Sequence, residues 1–149
     1  MLDPQAAKLL ELIQASGLAP VNELSPAEAR RSYRERRAYS QPQPSEVALV
    51  RDREAPGPHG SVPLREYRPL GASHSQLLPA LVYFHGGGWV IGDRDTHDVL
   101  CRAFCNEAGC AVFSVDYRLA PEHPFPAATD DALAATRWVA GNAGNLTID

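Results

Sequence analysis

The stretch Pro79-Ala-Leu-Val-Tyr-Phe-His-Gly-Gly-Gly-Trp-Val-Ile-Gly-Asp93 decides how the rest of the chain is read. Residues 79–84 form an unbroken apolar run, the pattern of a strand covered on both faces. The run ends on His85-Gly86-Gly87-Gly88-Trp89, which puts a glycine loop at the carboxyl end of a buried strand. That edge is where open α/β sheets bind their ligands. Three successive glycines carry no Cβ, so the backbone can turn sharply and come close to another group. Such a loop offers fixed N–H donors. They suit an anion, either a standing one such as phosphate or a transient one such as the oxyanion of acyl transfer.

Downstream of the loop the apolar pattern becomes helical. Residues 96–108 read as a helix with Val99, Leu100, Ala103 and Phe104 on one side, stopped by Gly109. Ala111-Val-Phe-Ser-Val115 reads as a second buried strand, and 127–143 as a second helix containing Leu133, Thr136, Trp138 and Val139. Strand, helix, strand, helix predicts a parallel sheet with right-handed crossovers. Upstream, 46–53 and 62–68 read as short strands flanking the loop Ala55-Pro-Gly-Pro-His-Gly60, an antiparallel start to the same sheet. The first 45 residues differ in kind. Asp3-Pro4 is a helix start and Ser16-Gly17 a stop, while Ser25-Pro-Ala-Glu28 fits a capping box that opens a second helix. Gln41 to Pro44 reads as a linker.

Composition narrows the function classes. The 149 residues suit one domain, and 44% hydrophobic content excludes a disordered chain. A net charge of −4 argues against nucleic acid as a partner, because phosphate contacts need a cationic field. Arg30, Arg31, Arg34, Arg36 and Arg37 are offset by Glu28 and Glu35 and read as a solvated helix face. No apolar run nears the ~20 residues that cross a bilayer, so no stable membrane insertion is expected. The opening MLDPQAAKLLELIQ is interrupted by Asp3, Pro4, Lys8 and Glu11 and is not a signal peptide. A cytoplasmic protein with reduced thiols at Cys101, Cys105 and Cys110 is the simplest reading. These cysteines lack further ligands at metal spacing, so no metal site is expected.

Two chemistries compete for the glycine loop. Gly86-x-Gly88-x-x-x-Gly92 followed by Asp116 is a loosened dinucleotide fingerprint, but Trp89 is bulky and the next helix starts late. HGGG after a third strand is instead the donor loop of lipases and esterases with the α/β-hydrolase fold. His85-Gly-Gly-Gly-Trp-Val-Ile-Gly-Asp93, Thr96-His97-Asp98 and Asp116-Tyr-Arg-Leu-Ala-Pro-Glu-His-Pro-Phe-Pro-Ala-Ala128 together resemble the hormone-sensitive-lipase-type esterases. The likeness runs from about residue 40 to the end, and the amino-terminal helices match in kind the cap this family places over its pocket.

The resemblance implies that Gly87 and Gly88 line an oxyanion hole, with Gly86 shaping the approach. It implies that His85 anchors the loop through hydrogen bonds and that Trp89 packs beside the pocket. Asp116 to Glu122 would form the turn after the fourth strand, with Arg118 and Glu122 pairing or bonding backbone there. The expected architecture is the amino-terminal half of an α/β-hydrolase sheet over 46–149, preceded by a helical cap segment over 1–45. The expected substrate is a small-molecule carboxylic ester, and no cofactor is called for.

The triad is not in these residues. No G-x-S-x-G elbow occurs among the nine serines, Gly71-Ala-Ser73-His-Ser75 being the nearest, and no His follows His123. His97 and Asp98, as helix neighbours, diverge and do not form a base and its orienter. The expectation is a chain truncated before the nucleophile elbow and inactive alone. Gibberellin receptors resemble the same family without hydrolysing their hormone, so a non-catalytic ligand-binding protein stays open beside the esterase. The oligomeric state of the full-length protein, a homo-oligomer included, is also left open.

Overall fold

A computed structural model describes residues 2–73 and 75–149, without the side chains of Ala38 and Tyr39. The chain folds as two compact units, Met1–Gln41 and Pro42–Asp149.

The first unit holds two helices. Helix α1 spans Pro4–Ala15, and Asp3 caps it by accepting from the N–H groups of Gln5 and Ala6. None of its side chains is buried. After a 3-10 turn at Val21–Glu23, helix α2 spans Pro26–Ser40. Ser25 and Glu28 cap its start reciprocally, as the sequence predicts. Arg36 donates to the carbonyl of Ala19 at 2.8 Å, so one member of the arginine cluster ties the helix to the preceding turn.

The second unit is a sheet with helices on both faces. Strands β1 (Leu49–Gly57) and β2 (Gly60–Arg68) form an antiparallel hairpin. The expected six-residue loop is corrected here. Ala55 pairs with Val62 and Gly57 with Gly60, so only Pro58 and His59 lie outside the ladder. Pro56 is tolerated within β1 because that strand is a sheet edge, where a missing N–H costs no ladder bond.

Strand β3 (Ala80–Phe84) leads through helix α3 (Asp98–Ala108) to β4 (Ala111–Val115), which runs parallel to it. Helix α4 (Ala127–Gly141) and the short α5 (Ala143–Leu146) follow. The strand order is β1-β2-β4-β3, which makes β3 the second edge. Its side chains are exposed or half-buried, so the double cover expected from its apolar run is not present. Beyond it, Ile148 forms a single parallel bridge with Leu78.

The alternation of β4 divides the core in two. Ala111, Phe113 and Val115 pack with Ala135, Val139, Leu146 and Ile148 on one face. Val112 meets Tyr67, Cys101 and Cys105 on the other. The face of α3 read from sequence is therefore corrected. Asp98, Cys101 and Cys105 are buried, whereas Leu100 and Phe104 are exposed. The cysteines are small enough for α3 to lie close on the sheet, and they are free thiols. Burial pushes Cys101 up to about 11 and Cys105 to about 12, which keeps both protonated and unreactive. Helix α4 is also shorter than the expected 127–143, and it buries Asp131, Ala135 and Val139 while Leu133 stays exposed.

Candidate active site

The glycine loop leaves the carboxyl end of β3 and turns immediately. The carbonyl of Gly87 accepts from the N–H groups of Val90 at 3.1 Å and Ile91 at 3.0 Å. Gly88 and Trp89 both hold φ near +60° inside that turn, and Gly87 holds φ +136°. The Gly87 position also has no room for a side chain. A Cβ there would lie 1.9 Å from the carbonyl oxygen of Ile91. Trp89 is the exception that carries a side chain in the left-handed region, where most residues are strained by about 1–2 kcal/mol.

His85 fixes the peptide on the other side of Gly86. It is 3% exposed, and its Nδ1 lies 2.9 Å from the Gly86 carbonyl. A carbonyl can only accept, so Nδ1 carries the proton and His85 is the donor. In a trans peptide the C=O and the following N–H point in opposite directions. Holding the Gly86 carbonyl on His85 therefore aims the Gly87 N–H away from the imidazole. Holding the Gly87 carbonyl in the turn likewise sets the direction of the Gly88 N–H. Among the described residues neither N–H has an acceptor.

Around His85 the rings stack. Tyr117 lies against it with centroids 4.4 Å apart and planes at 14°, and His97 at 5.3 Å and 25°. The Tyr117 hydroxyl donates to the carbonyl of His85 itself. Gly92 closes the space at the edge of the imidazole, where a Cβ would come within 2.5 Å of Nδ1. Next to this assembly is an open hollow of about 240 Å³ lined by Phe84, His85, Trp89, Tyr117, Ala128, Thr129 and Ala132. Trp89 is 66% exposed on its rim.

Of the remaining sequence candidates, His97 joins that constellation only through its stack on His85. His97 Nδ1 sits 3.1 Å from Thr96 Oγ1 and 3.3 Å from the Asp93 carbonyl. Asp98 instead takes the Tyr67 hydroxyl at 2.8 Å and Arg102 Nε at 2.7 Å. The two neighbours thus serve different contacts. Arg118 pairs with Asp131 on α4 through two side-chain bonds of 2.8 Å, and its N–H donates to the same carboxylate at 2.9 Å. Asp131 is thus a side-chain partner of Arg118 that the sequence does not announce. Asp116 is desolvated, which raises its pKa, while Arg94 at 3.7 Å opposes the shift. No group of three or more metal-ligating side chains is found among the described residues. No helix start follows the glycines directly either, since α3 begins only at Asp98, so the loop lacks the helix N-terminus of a dinucleotide site.

Sequence reasoning misses the parts played by Tyr117 and Gly92. A signal for Gly92 is present, as the last glycine of the loosened fingerprint. Nothing local marks Tyr117, because its contact with His85 joins the ends of two parallel strands.

Comparison with known proteins places this geometry. Residues 81–149 match a family of the alpha/beta hydrolase fold. Over 137 residues, 92% of this chain, the sequence is 43% identical to the carboxylic ester hydrolase LipN of Mycobacterium tuberculosis, covering 36% of that protein. It is 39% identical to an ethyl acetate hydrolase of Pseudomonas putida, over 99% of this chain and 48% of that one. Among solved structures, an ester hydrolase from the metagenome of Lake Arreo superposes with a TM-score of 0.93 at 43% identity, covering 100% of this chain and 48% of the other. The chain thus spans about half the length, or less, of the relatives it matches. With the mixed sheet, these matches show that the chain has the α/β-hydrolase fold and is similar to part of the ester hydrolases built on it.

Proposed function

We propose that the protein to which these residues belong hydrolyses small carboxylic esters, and that Gly87 and Gly88 donate its oxyanion-hole hydrogen bonds. The observation that carries the reading is the pair of unoccupied N–H groups at Gly87 and Gly88, each fixed by a held carbonyl. Donors set before reaction stabilise the charge that develops on the carbonyl oxygen without reorganising as it forms. Gly86 gives the carbonyl room to approach, for a Cβ there meets nothing within 4 Å. His85 and Trp89 support the loop and the rim of the hollow.

On this reading the serine, the acid and the base come from residues outside these 149, since the segment holds no G-x-S-x-G and no His after His123. The domain division belongs to the same proposal, a cap segment over 1–45 and hydrolase residues from 46. So does a cytoplasmic setting, which the three unpaired, buried cysteines support. The reaction calls for no cofactor.

The test is kinetic. The full-length protein should hydrolyse a nitrophenyl acetate, and the 149-residue chain alone should not exceed a heat-treated control. Replacing the Gly87–Gly88 amide by an ester removes one N–H without adding a Cβ. It should lower kcat by about 10²–10³-fold. A kcat within a few-fold of wild type would remove Gly88 from the oxyanion hole. Tight ligand binding without turnover would favour the receptor-like alternative.

A further inference from the structure

We infer that Tyr117 is a positioning residue for the oxyanion loop, acting through His85 on the donors at Gly87 and Gly88; the inference rests on the esterase reading above. Tyr117 meets His85 through its hydroxyl, which also lies 3.3 Å from the imidazole Nδ1, and through its ring. Its hydroxyl donates to the His85 carbonyl, and its ring lies nearly parallel on the imidazole at 4.4 Å. The first contact sets the plane of the His85–Gly86 peptide, and the second sets the plane of the ring whose Nδ1 holds the Gly86 carbonyl. Both peptides that precede the Gly87 N–H are thus held from one tyrosine.

Tyr117 is itself held firmly. It is 7% exposed, and the next residue is clamped to α4 by three bonds from Arg118 to Asp131. Three residues on, the N–H of Ala120 donates to the carbonyl of Trp89 at 2.8 Å. The segment after β4 therefore grips the glycine loop at both ends, at His85 and at Trp89. Burial raises the pKa of Tyr117, so the hydroxyl remains a donor throughout the neutral range. The segment from Asp116 to Glu122 accordingly does more than complete a turn.

The clearest variant is Tyr117→Phe, which keeps the ring stack and removes only the hydroxyl. In the full-length protein it should lower kcat about tenfold while KM stays within about twofold, because only the orientation of donors to the transition state is loosened. Active sites are counted by stoichiometric reaction with an organophosphonate, so that misfolded protein does not enter kcat. Phe113→Leu, buried in β4 and without a hydrogen bond to the loop, serves as the stability control. It should lower the melting temperature and leave kcat unchanged. A Tyr117→Phe protein that behaves like Phe113→Leu, with kcat within twofold of wild type, overturns the inference and leaves the esterase reading intact. A wild-type protein that turns over no ester overturns both.

Discussion

At the scale of single residues, the glycines of the loop are not equivalent, and substitution should separate them. Gly87→Ala places a Cβ 1.9 Å from the Ile91 carbonyl oxygen at φ +136°, so the turn must open. We expect it to cost at least about 1–3 kcal/mol of stability, the usual scale of backbone strain at such sites, and, on the esterase reading, to abolish turnover by the full-length protein. Gly86→Ala meets nothing within 4 Å and should stay within about 0.5 kcal/mol of wild type. Urea denaturation of the two variants checks both values. His97 gives a second test. Burial, with the neighbouring His85, holds its pKa below the ordinary 6.5 against the opposing bond to the Asp93 carbonyl. Below pH 6.5 the unfolded chain therefore takes up a proton that the native state refuses. Stability should fall as the pH drops through 6.5, and level off once native His97 also titrates. His97→Gln should flatten that part of the profile. An unchanged slope would assign it to other groups. At this scale the three glycines of the loop and His85 are legible as a motif. The geometry of Tyr117 is not, because a contact between the ends of two parallel strands leaves no periodic trace in sequence.

Elements are easiest to read where local chemistry decides them and hardest where packing does. The caps of α1 and α2 are side-chain-to-backbone bonds within three residues, and Asp3-Pro4 and Ser25-Pro-Ala-Glu28 announce both. The buried strand β4 is bounded correctly by its apolar run, Ala111–Val115. The face of α3 is misleading in sequence because hydrophobicity ranks Leu100 and Phe104 above Cys101 and Cys105. Close approach of a helix to a sheet instead selects small residues. A buried Asp98 is equally invisible, since its compensation by Tyr67 and Arg102 comes from β2 and from the next turn of the helix. Sequence gives the hairpin too long a loop because Pro56 looks like a strand breaker, and an edge strand removes that objection. The link between Arg118 and α4 carries a prediction at this scale. Asp131 is 2% exposed and satisfies one backbone and two side-chain donors, so Asp131→Ala leaves a guanidinium without its partner. Loss of a fully buried pair member costs about 3–5 kcal/mol. Arg118 retains 26% side-chain exposure and can rehydrate, so about 2 kcal/mol is expected from the shift in urea midpoint.

At the scale of the whole molecule, the sheet is well covered at its centre and open at β3. Strand β4 is buried along its length, with helices on both faces. Among the described residues, strand β3 pairs with β4 on one side only, and past it the chain contributes a single bridge, Leu78 to Ile148. Ala80-Leu-Val-Tyr-Phe84 contains no charge, proline or bulge, the devices by which proteins blunt an edge. Leu81 and Phe84 are 37% and 38% exposed on it, and Trp89 and Leu133 add exposed apolar surface. A five-residue apolar edge of this kind is a template for another strand. The 149-residue chain prepared alone should therefore self-associate and bind a hydrophobic dye, despite its net charge of −4. Placing a lysine at Leu81 should reduce both effects, because a charge on the free edge disfavours pairing there. Size-exclusion chromatography with dye fluorescence reads the outcome directly. A sharp monomer peak, no dye signal and a cooperative melt for the unmodified chain would mean that the edge is protected in solution. The Leu81→Lys variant would then be no more monomeric than its parent, and β3 would not be the surface through which copies meet.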